Sequence, residues 1–242
     1  MPRSPRPAAR RGQPAAPRRL ATAPGKSGGK TRLTEQAYRR IEEQIVTLKL
    51  APGSAVSEQE LSKALGIGRT PIREALQRLA REHLVNIVPH RGVLVSDVNV
   101  GEQLKVIEVR RELERLVARL AALRATPEQR AQLRVLAQRM LDVTARGDDM
   151  GFLALDNEFN TLVTSATRNQ FARSAFNAVQ ALSRRFWFHH RIGDMVYVAQ
   201  LHANIALAVA NGSVKDATAA SDALMDYTEA FTRSTLDPVG DE

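Results

Sequence analysis

Four side chains that could read DNA recur at helical spacing in one short segment. Arg69, Arg73 and Gln77 are four residues apart and share one helical face, and Thr70 lies beside them. Arginine can bind the O6 and N7 atoms of guanine or hold a phosphate, and glutamine can read adenine. Any solvated surface helix shows polar residues opposite an apolar stripe, however. The face therefore predicts a nucleic-acid contact only in combination with the elements around it.

The preceding elements are typical of a helix-turn-helix. Apolar periodicity predicts a helix over about 34–49. Ser57 and Glu60 are spaced as a capping box that opens a second, short helix. Thr70 is expected to cap the third helix, with Pro71 as its first residue. The candidate reading face would then lie at the start of that third helix, which suits entry into the major groove.

A predicted hairpin completes a winged helix-turn-helix over residues 33–97. Two β-prone runs surround a Pro/Gly turn directly after the third helix. The tip of this hairpin holds His90, Arg91 and Gly92. We expect the arginine to reach a phosphate or the minor groove, as the wing of such a domain does.

The remaining sequence, residues 101–235, predicts an all-helical bundle. A long first helix and a second helix opened by a capping box at Thr126–Gln129 are followed by further helical patterns. These further helices are expected over about 150–167, 169–192, 194–211 and 213–233. The fold class is thus mostly α, with an N-terminal winged helix-turn-helix followed by an all-α bundle.

Arg110 is the residue of this bundle with the clearest binding chemistry. A cation on the inner face of a bundle helix is costly unless it is paired, and an anionic ligand is one way to pair it. A permanent salt bridge with Asp156 or another acid is the alternative. Arg111 and Arg185 are competing candidates for the ligand contact.

The net charge of +9 arises from the first 32 residues. This stretch holds nine basic residues, no acid and six of the eleven prolines. Without these nine, the other 26 basic residues equal the 26 acidic ones. Such a composition cannot bury enough apolar surface to fold, so residues 1–32 are predicted to be a disordered basic tail. The tail could merely aid solubility or add non-specific phosphate contacts.

Several classes of function are excluded or disfavoured. The chain has no cysteine, which excludes disulfides and thiolate chemistry. It shows no P-loop, dinucleotide-binding glycine fingerprint, Gly-x-Ser-x-Gly or His-Glu-x-x-His motif, so we expect no enzyme. No apolar run approaches the roughly 18–20 residues of a membrane span, and we expect a cytoplasmic protein without a membrane segment.

The N-terminal motifs strongly resemble the GntR family of bacterial transcription regulators. The resemblance rests on residues 57–79, above all the run from Arg69 to Leu76, and on 82–85 and 90–92. It implies that Arg69 and Arg73 contact the operator and that the wing tip touches DNA. One departure is Gln59, which stands where the family often has arginine.

The C-terminal segment shows a second group of recurring residues: Glu108, Arg110, Leu113, Glu114, Asp156, Phe159, Asn169, His202, Ile205 and Ala208. By these residues it resembles the FCD ligand-binding domain of the FadR subfamily. Many such domains hold a divalent metal through an Asp-x3-His pair and two later histidines, and the effector carboxylate completes the coordination sphere. By resemblance, Asp156 and His202 match ligand positions. Asn160 stands in place of the first histidine, and Leu224, 22 residues after His202, in place of the last. Losing two imidazoles weakens binding of zinc or nickel.

These observations predict a ligand-responsive DNA-binding regulator. We expect a homodimeric repressor that binds an inverted-repeat operator on double-stranded DNA. Its effector would be a small organic acid, bound by Arg110, Asp156, Asn160 and His202 with little or no help from a metal and with no required cofactor. The alternative is an all-helical interaction protein whose winged domain contacts other proteins.

Overall fold

The computed structural model describes residues 27–190 and 194–236, and this part of the chain is mainly α-helical. Three helices and a small sheet come first, and six further helices follow. The helices are α1 (Ser27–Val46), α2 (Glu58–Leu65), α3 (Arg69–Arg81), α4 (Val100–Arg124), α5 (Pro127–Ala145), α6 (Asp149–Ala166), α7 (Gln170–His190), α8 (Met195–Asn211) and α9 (Val214–Ser234). The strands are β1 (Ala55–Val56), β2 (Val85–Val88) and β3 (Gly92–Val95). No described helix is both long and apolar enough to cross a membrane.

The first three helices and the sheet form the predicted winged helix-turn-helix around their own core. Ile41, Ile45, Ile72 and Leu79 are fully buried there. The predicted hairpin is confirmed as the antiparallel pair β2–β3. Strand β1 adds to the other edge of β3, giving the order β1-β3-β2. The sequence did not indicate β1, because two residues are too few to show the alternation of a strand.

Two predicted boundaries in this domain are wrong. Helix α1 begins at Ser27, so the predicted disordered tail cannot extend through residues 27–32. The rest of the predicted tail lies outside the described residues. A helix that is anchored by buried residues from Ala37 onward can lengthen, because each added residue gains a hydrogen bond.

The start of α3 also differs from the prediction. The helix begins at Arg69 with Gly68 as its N-cap, and no side chain caps it. Thr70 is therefore inside the helix, and Pro71 is its third residue. Proline is tolerated there because the first N–H groups of a helix have no partner within the helix.

Helices α4–α9 form the predicted bundle around a second core. The capping box at Thr126 is confirmed, since its hydroxyl accepts from the Gln129 N–H and the Gln129 side chain accepts from the Thr126 N–H. Helices α6, α8 and α9 begin and end within one residue of their predicted bounds.

Helix α7 belongs to the bundle and also touches the winged domain. Ala181 is buried in the first core, and Leu182 packs against that core. The guanidinium of Arg185 donates a hydrogen bond to the carbonyl of Ser96, in the segment after β3. One helix thus joins the two halves of the described chain.

Candidate nucleic-acid interface and ligand cavity

Helix α3 presents its four predicted reading residues to solvent. Arg69, Thr70, Arg73 and Gln77 are all exposed. The opposite stripe is buried in the first core and consists of Pro71, Ile72, Ala75, Leu76 and Leu79. The packing of this stripe fixes the direction of the exposed face. The structure therefore places the four side chains together on one accessible surface at the beginning of the helix.

Arg73 is held in place by an acid that the sequence reasoning missed. Its Nε donates to Glu58 Oε1 at 2.9 Å and its Nη2 to Glu58 Oε2 at 2.8 Å. This hydrogen bond to Arg73 holds the pKa of Glu58 below its usual value. Glu58 occupies the Nε–Nη2 edge, so the Nη1–Nη2 edge is left for a base or phosphate. The two residues are 15 positions apart, which is why helical spacing gave no signal for the pair.

The wing tip is exposed and tightly turned. His90, Arg91 and Gly92 are all exposed, and the Arg91 N–H donates to the Val88 carbonyl at 3.1 Å. Gly92 has a φ of 85°, in the left-handed region that side chains with a Cβ adopt at a cost. Since β2 follows α3 directly, the arginine of the wing is carried on the same small domain as the reading face.

The bundle contains a cavity of about 70 Å³ between α4, α6, α7, α8 and α9. Its polar wall holds Arg110, Asp156, Gln180, Arg184 and His202. Most of the remaining wall is apolar or aromatic. Three of the four residues predicted to bind the effector, Arg110, Asp156 and His202, therefore line one cavity.

Asp156 is the centre of the polar wall. It is 5% exposed and accepts a hydrogen bond from Asn160 Nδ2 at 2.7 Å. His202 Nε2 lies 3.1 Å from Asp156 Oδ1, and Gln180 Nε2 donates to Oδ2 at 3.4 Å. Arg184 Nε is 3.5 Å from the same oxygen. Nitrogen donors therefore surround this carboxylate.

Asp156 and His202 form a charged pair. Burial opposes ionisation of both groups, but their mutual hydrogen bond and attraction outweigh it. The pKa of Asp156 is accordingly lowered and the pKa of His202 raised. His202 Nδ1 lies 2.9 Å from the Val198 carbonyl, so this nitrogen carries a proton. Nε2 faces the Asp156 carboxylate at 3.1 Å, and because a carboxylate can only accept, this nitrogen is placed to donate a hydrogen bond to it.

The other predicted effector residues have defined partners. Arg110 donates from Nε and Nη2 to Glu114 Oε1, at 3.1 and 2.9 Å, and both side chains are buried. Asn160 is not among the cavity-lining residues and lies behind Asp156, to which it donates. Arg111 forms ion pairs with acids of α9 instead. Of the three arginines considered from the sequence, only Arg110 lines the cavity.

The residues at the positions that match metal ligands in FCD domains do not fit a transition metal. Leu224 does line the cavity, as its spacing from His202 implied, but it offers no donor atom. The amide of Asn160 turns its NH₂ group toward Asp156, so only Asp156 and His202 of the four positions offer a suitable donor atom. In the described ranges, no group of three or more His, Asp or Glu side chains is arranged to hold an ion.

Three further residues in or beside the polar wall were also missed. Glu114 is four residues after Arg110, and this i,i+4 spacing of opposite charges was a usable signal. Gln180 and Arg184 are four residues apart on α7, so their common helical face could also have been recognised.

Comparison with known proteins gives a consistent result. Residues 33–95 match the model of the bacterial regulatory proteins of the gntR family, and residues 105–227 match the FCD domain. The HTH-type transcriptional repressor RspR of Escherichia coli is 32% identical over 151 residues, which cover 62% of this chain and 65% of that protein, just under two thirds. An uncharacterized HTH-type transcriptional regulator of Streptomyces ambofaciens is 30% identical over 184 residues, which cover 73% of this chain and 75% of that protein.

A solved structure shows the same fold. Escherichia coli McbR/YncC superimposes with a TM-score of 0.71 at 19% identity, covering 85% of this chain and 99% of that chain. At this level of identity the similarity supports the architecture of a winged domain followed by a helical bundle.

Proposed function

Because the chain belongs to the GntR family of bacterial regulatory proteins and carries an FCD domain, we propose that it regulates transcription by binding operator DNA in response to a small molecule. Its relatives are transcription regulators and not enzymes. The observation that carries the proposal is the exposed Arg69–Arg73 face at the start of α3, in a chain that also has a cavity lined by charged residues.

DNA recognition is assigned to Arg69 and Arg73, with Thr70 and Gln77 beside them and the wing tip as a second contact. Selection from random duplexes would supply an operator, and gel-shift titration would measure its affinity. Replacing both arginines with alanine should weaken operator binding by roughly tenfold or more, since a bidentate base contact discriminates by that order. Arg81→Ala, at the exposed far end of α3, is the matched control and should change little.

The result that contradicts this assignment is equal operator affinity for the double variant and the wild type. Failure to select any duplex would instead favour a winged domain that contacts protein.

The chain is proposed to act as a homodimer on an inverted repeat. A two-fold dimer places two recognition helices about one turn of DNA apart, about 34–36 Å, so one small domain per chain is sufficient for specificity. Sedimentation of the full chain with and without operator, together with footprinting, tests this arrangement. A monomer that protects a single half-site would refute it.

The proposed direction of control is repression in the bacterial cytoplasm. The similar RspR protein bears the name of a repressor, which supports the direction. In a bacterial reporter strain, the operator placed downstream of a promoter should be silenced by the chain and released by its effector. Activation of the reporter by the chain would contradict repression.

The effector is proposed to be a small organic anion held in the cavity. Arg110 and Arg184 both line the cavity, and the Nε of Arg184 has no hydrogen-bond acceptor among the described residues. Two guanidinium groups in one cavity wall favour an anionic ligand through charge-assisted hydrogen bonds. Since the donor set does not suit a transition metal, the side chains themselves would hold the anion.

A further inference from the structure

Two buried N–H groups in the cavity wall have no hydrogen-bond acceptor among the described residues. They are Nε of Arg184 and Nε1 of Trp187. Arg184 Nε is 3.5 Å from Asp156 Oδ2, within ion-pair distance but outside hydrogen-bond geometry. Buried donors in folded proteins are nearly always paired with protein, water or a ligand. Because both residues line the cavity, a ligand bound there is a candidate acceptor for these two donors.

Two neighbouring N–H donors can together hold a carboxylate. Arg184 and Trp187 are three residues apart on α7, so their side chains are neighbours on one helical face. A guanidinium supplies a charge-assisted hydrogen bond to one carboxylate oxygen, and the indole N–H can donate to the other. Asp156 does not satisfy both donors, because its oxygens already face Asn160, Gln180 and His202.

Aromatic rings are concentrated in the rest of the wall. The chain has seven Phe, three Tyr and one Trp, and five of these eleven side chains line this cavity. Phe186 and Phe231 meet edge to face with centroids 6.3 Å apart, and Tyr227 stacks on Phe231 at 6.4 Å. A planar ring can join such a cluster at the offset-stacked or edge-on distances that aromatic pairs prefer.

The hydroxyl groups of the wall offer little to a polyhydroxylated ligand. Thr228 Oγ1 donates to the Leu224 carbonyl at 2.7 Å, and Thr232 Oγ1 donates to the Thr228 carbonyl at 2.8 Å. Both hydroxyl protons are therefore used within α9. Ser183 Oγ accepts from Gln103 Nε2 at 3.2 Å. A sugar acid or another hydroxyl-rich acid would find few free hydroxyl protons to accept in this wall.

We infer that the effector is an aromatic carboxylate, with its carboxylate between Arg184 and the Trp187 N–H and its ring among Phe186, Tyr227 and Phe231. The inference rests on the proposed function, because it names the chemical class of the effector and the atoms that hold it. It assigns the head group to α7 and not to Asp156 and Asn160.

Because Trp187 is the one tryptophan of the chain, its fluorescence reports directly on the cavity. The full chain is titrated with benzoate and phenylacetate, with cyclohexanecarboxylate as the non-aromatic match and succinate as the ringless diacid. We expect the aromatic acids to bind and change the emission, cyclohexanecarboxylate to bind severalfold more weakly, and succinate to bind weakest.

Variants then test the head group by calorimetry. Arg184→Gln should weaken benzoate binding about tenfold or more, as the loss of a charge-assisted hydrogen bond implies. Trp187→Phe keeps an aromatic ring and removes the N–H, and should give a smaller loss. Arg173→Gln, exposed on the same helix, is the matched control and should bind as the wild type does. Circular dichroism confirms that each variant is folded.

Three results would overturn the inference: succinate or cyclohexanecarboxylate binding as tightly as benzoate, unchanged benzoate affinity in folded Arg184→Gln, or no binding of either aromatic acid. The proposed function fails separately. If an aliphatic acid binds and releases operator DNA, the chain is still a ligand-responsive regulator, but the inferred aromatic class of the effector is wrong. If benzoate binds as expected but leaves operator affinity unchanged at saturation, the inferred ligand class is supported. The proposal that ligand binding controls DNA binding is then wrong.

Discussion

Replacing Asp156 with asparagine removes the charge at the centre of the cavity's polar wall. The carboxylate is 5% exposed, accepts from Asn160 at 2.7 Å and lies 3.1 Å from His202 Nε2. Removing one partner of a buried, hydrogen-bonded ion pair costs about 3–5 kcal/mol. We expect Asp156→Asn to lower the free energy of unfolding by about that amount. Glu158→Gln makes the same chemical change on an exposed residue of α6, where the ion pair with Arg139 is at the surface, and should cost less than about 1 kcal/mol.

This stability difference should depend on pH. The pKa of Asp156 is lowered from 3.8, so its contribution is present above that value and is lost as the pH falls through its folded pKa. The pKa of His202 is raised from 6.5, so its contribution is complete below that value and is lost as the pH rises through its folded pKa. The difference between wild type and Asp156→Asn is therefore largest between pH 3.8 and 6.5. It narrows above this window, but it does not vanish, because Arg184 still attracts Asp156.

Urea denaturation followed by Trp187 fluorescence, inside and above this pH window, measures both effects. A cost no larger than that of Glu158→Gln, or a difference that is the same at every pH, would show that Asp156 and His202 are not a charged pair.

Three further outcomes are expected. Deleting residues 1–26, with seven basic side chains, should lower non-specific DNA affinity and flatten its salt dependence while α1 stays intact; an unchanged salt slope would mean that the tail does not contact DNA. Effector titration should give the same affinity with and without EDTA, because the side chains themselves hold the effector. Stoichiometric zinc in the purified protein, together with effector binding abolished by EDTA, would show that a metal is required after all. Combining Asn160→His with Leu224→His should create a zinc site, measured as a zinc-dependent rise in melting temperature. The single Leu224→His variant is the control and should show only a weak rise. No rise in the double variant would show that these positions do not share one site.

What could be predicted from the sequence was local. The exposed face of α3 follows from a period of 3.6 residues, and the hairpin follows from a Pro/Gly turn between two apolar runs. The Arg73–Glu58 pair joins residues 15 positions apart on different helices, so it depends on how α2 and α3 pack. The acid that pairs with Arg110 is one helical turn away at Glu114, so the i,i+4 spacing indicates this salt bridge, whereas the choice between it and a ligand contact depends on how the bundle packs.

The position of α7 explains how a cavity in the bundle can influence the winged domain. One face of α7 carries Arg184 beside Asp156, and the adjoining face buries Ala181 in the winged-domain core and bonds Arg185 to Ser96. Burial raises the pKa of Glu42 on α1 to about 7, and attraction to Arg184 opposes that rise. An anion that binds Arg184 offsets its charge and weakens this attraction across the domain contact. A ligand shifts a conformational equilibrium only by its difference in affinity between the two states. Because Arg184 lines the cavity and also attracts Glu42 on α1, a ligand bound at Arg184 would differ in affinity between a state with the winged domain docked on α7 and a state without that contact.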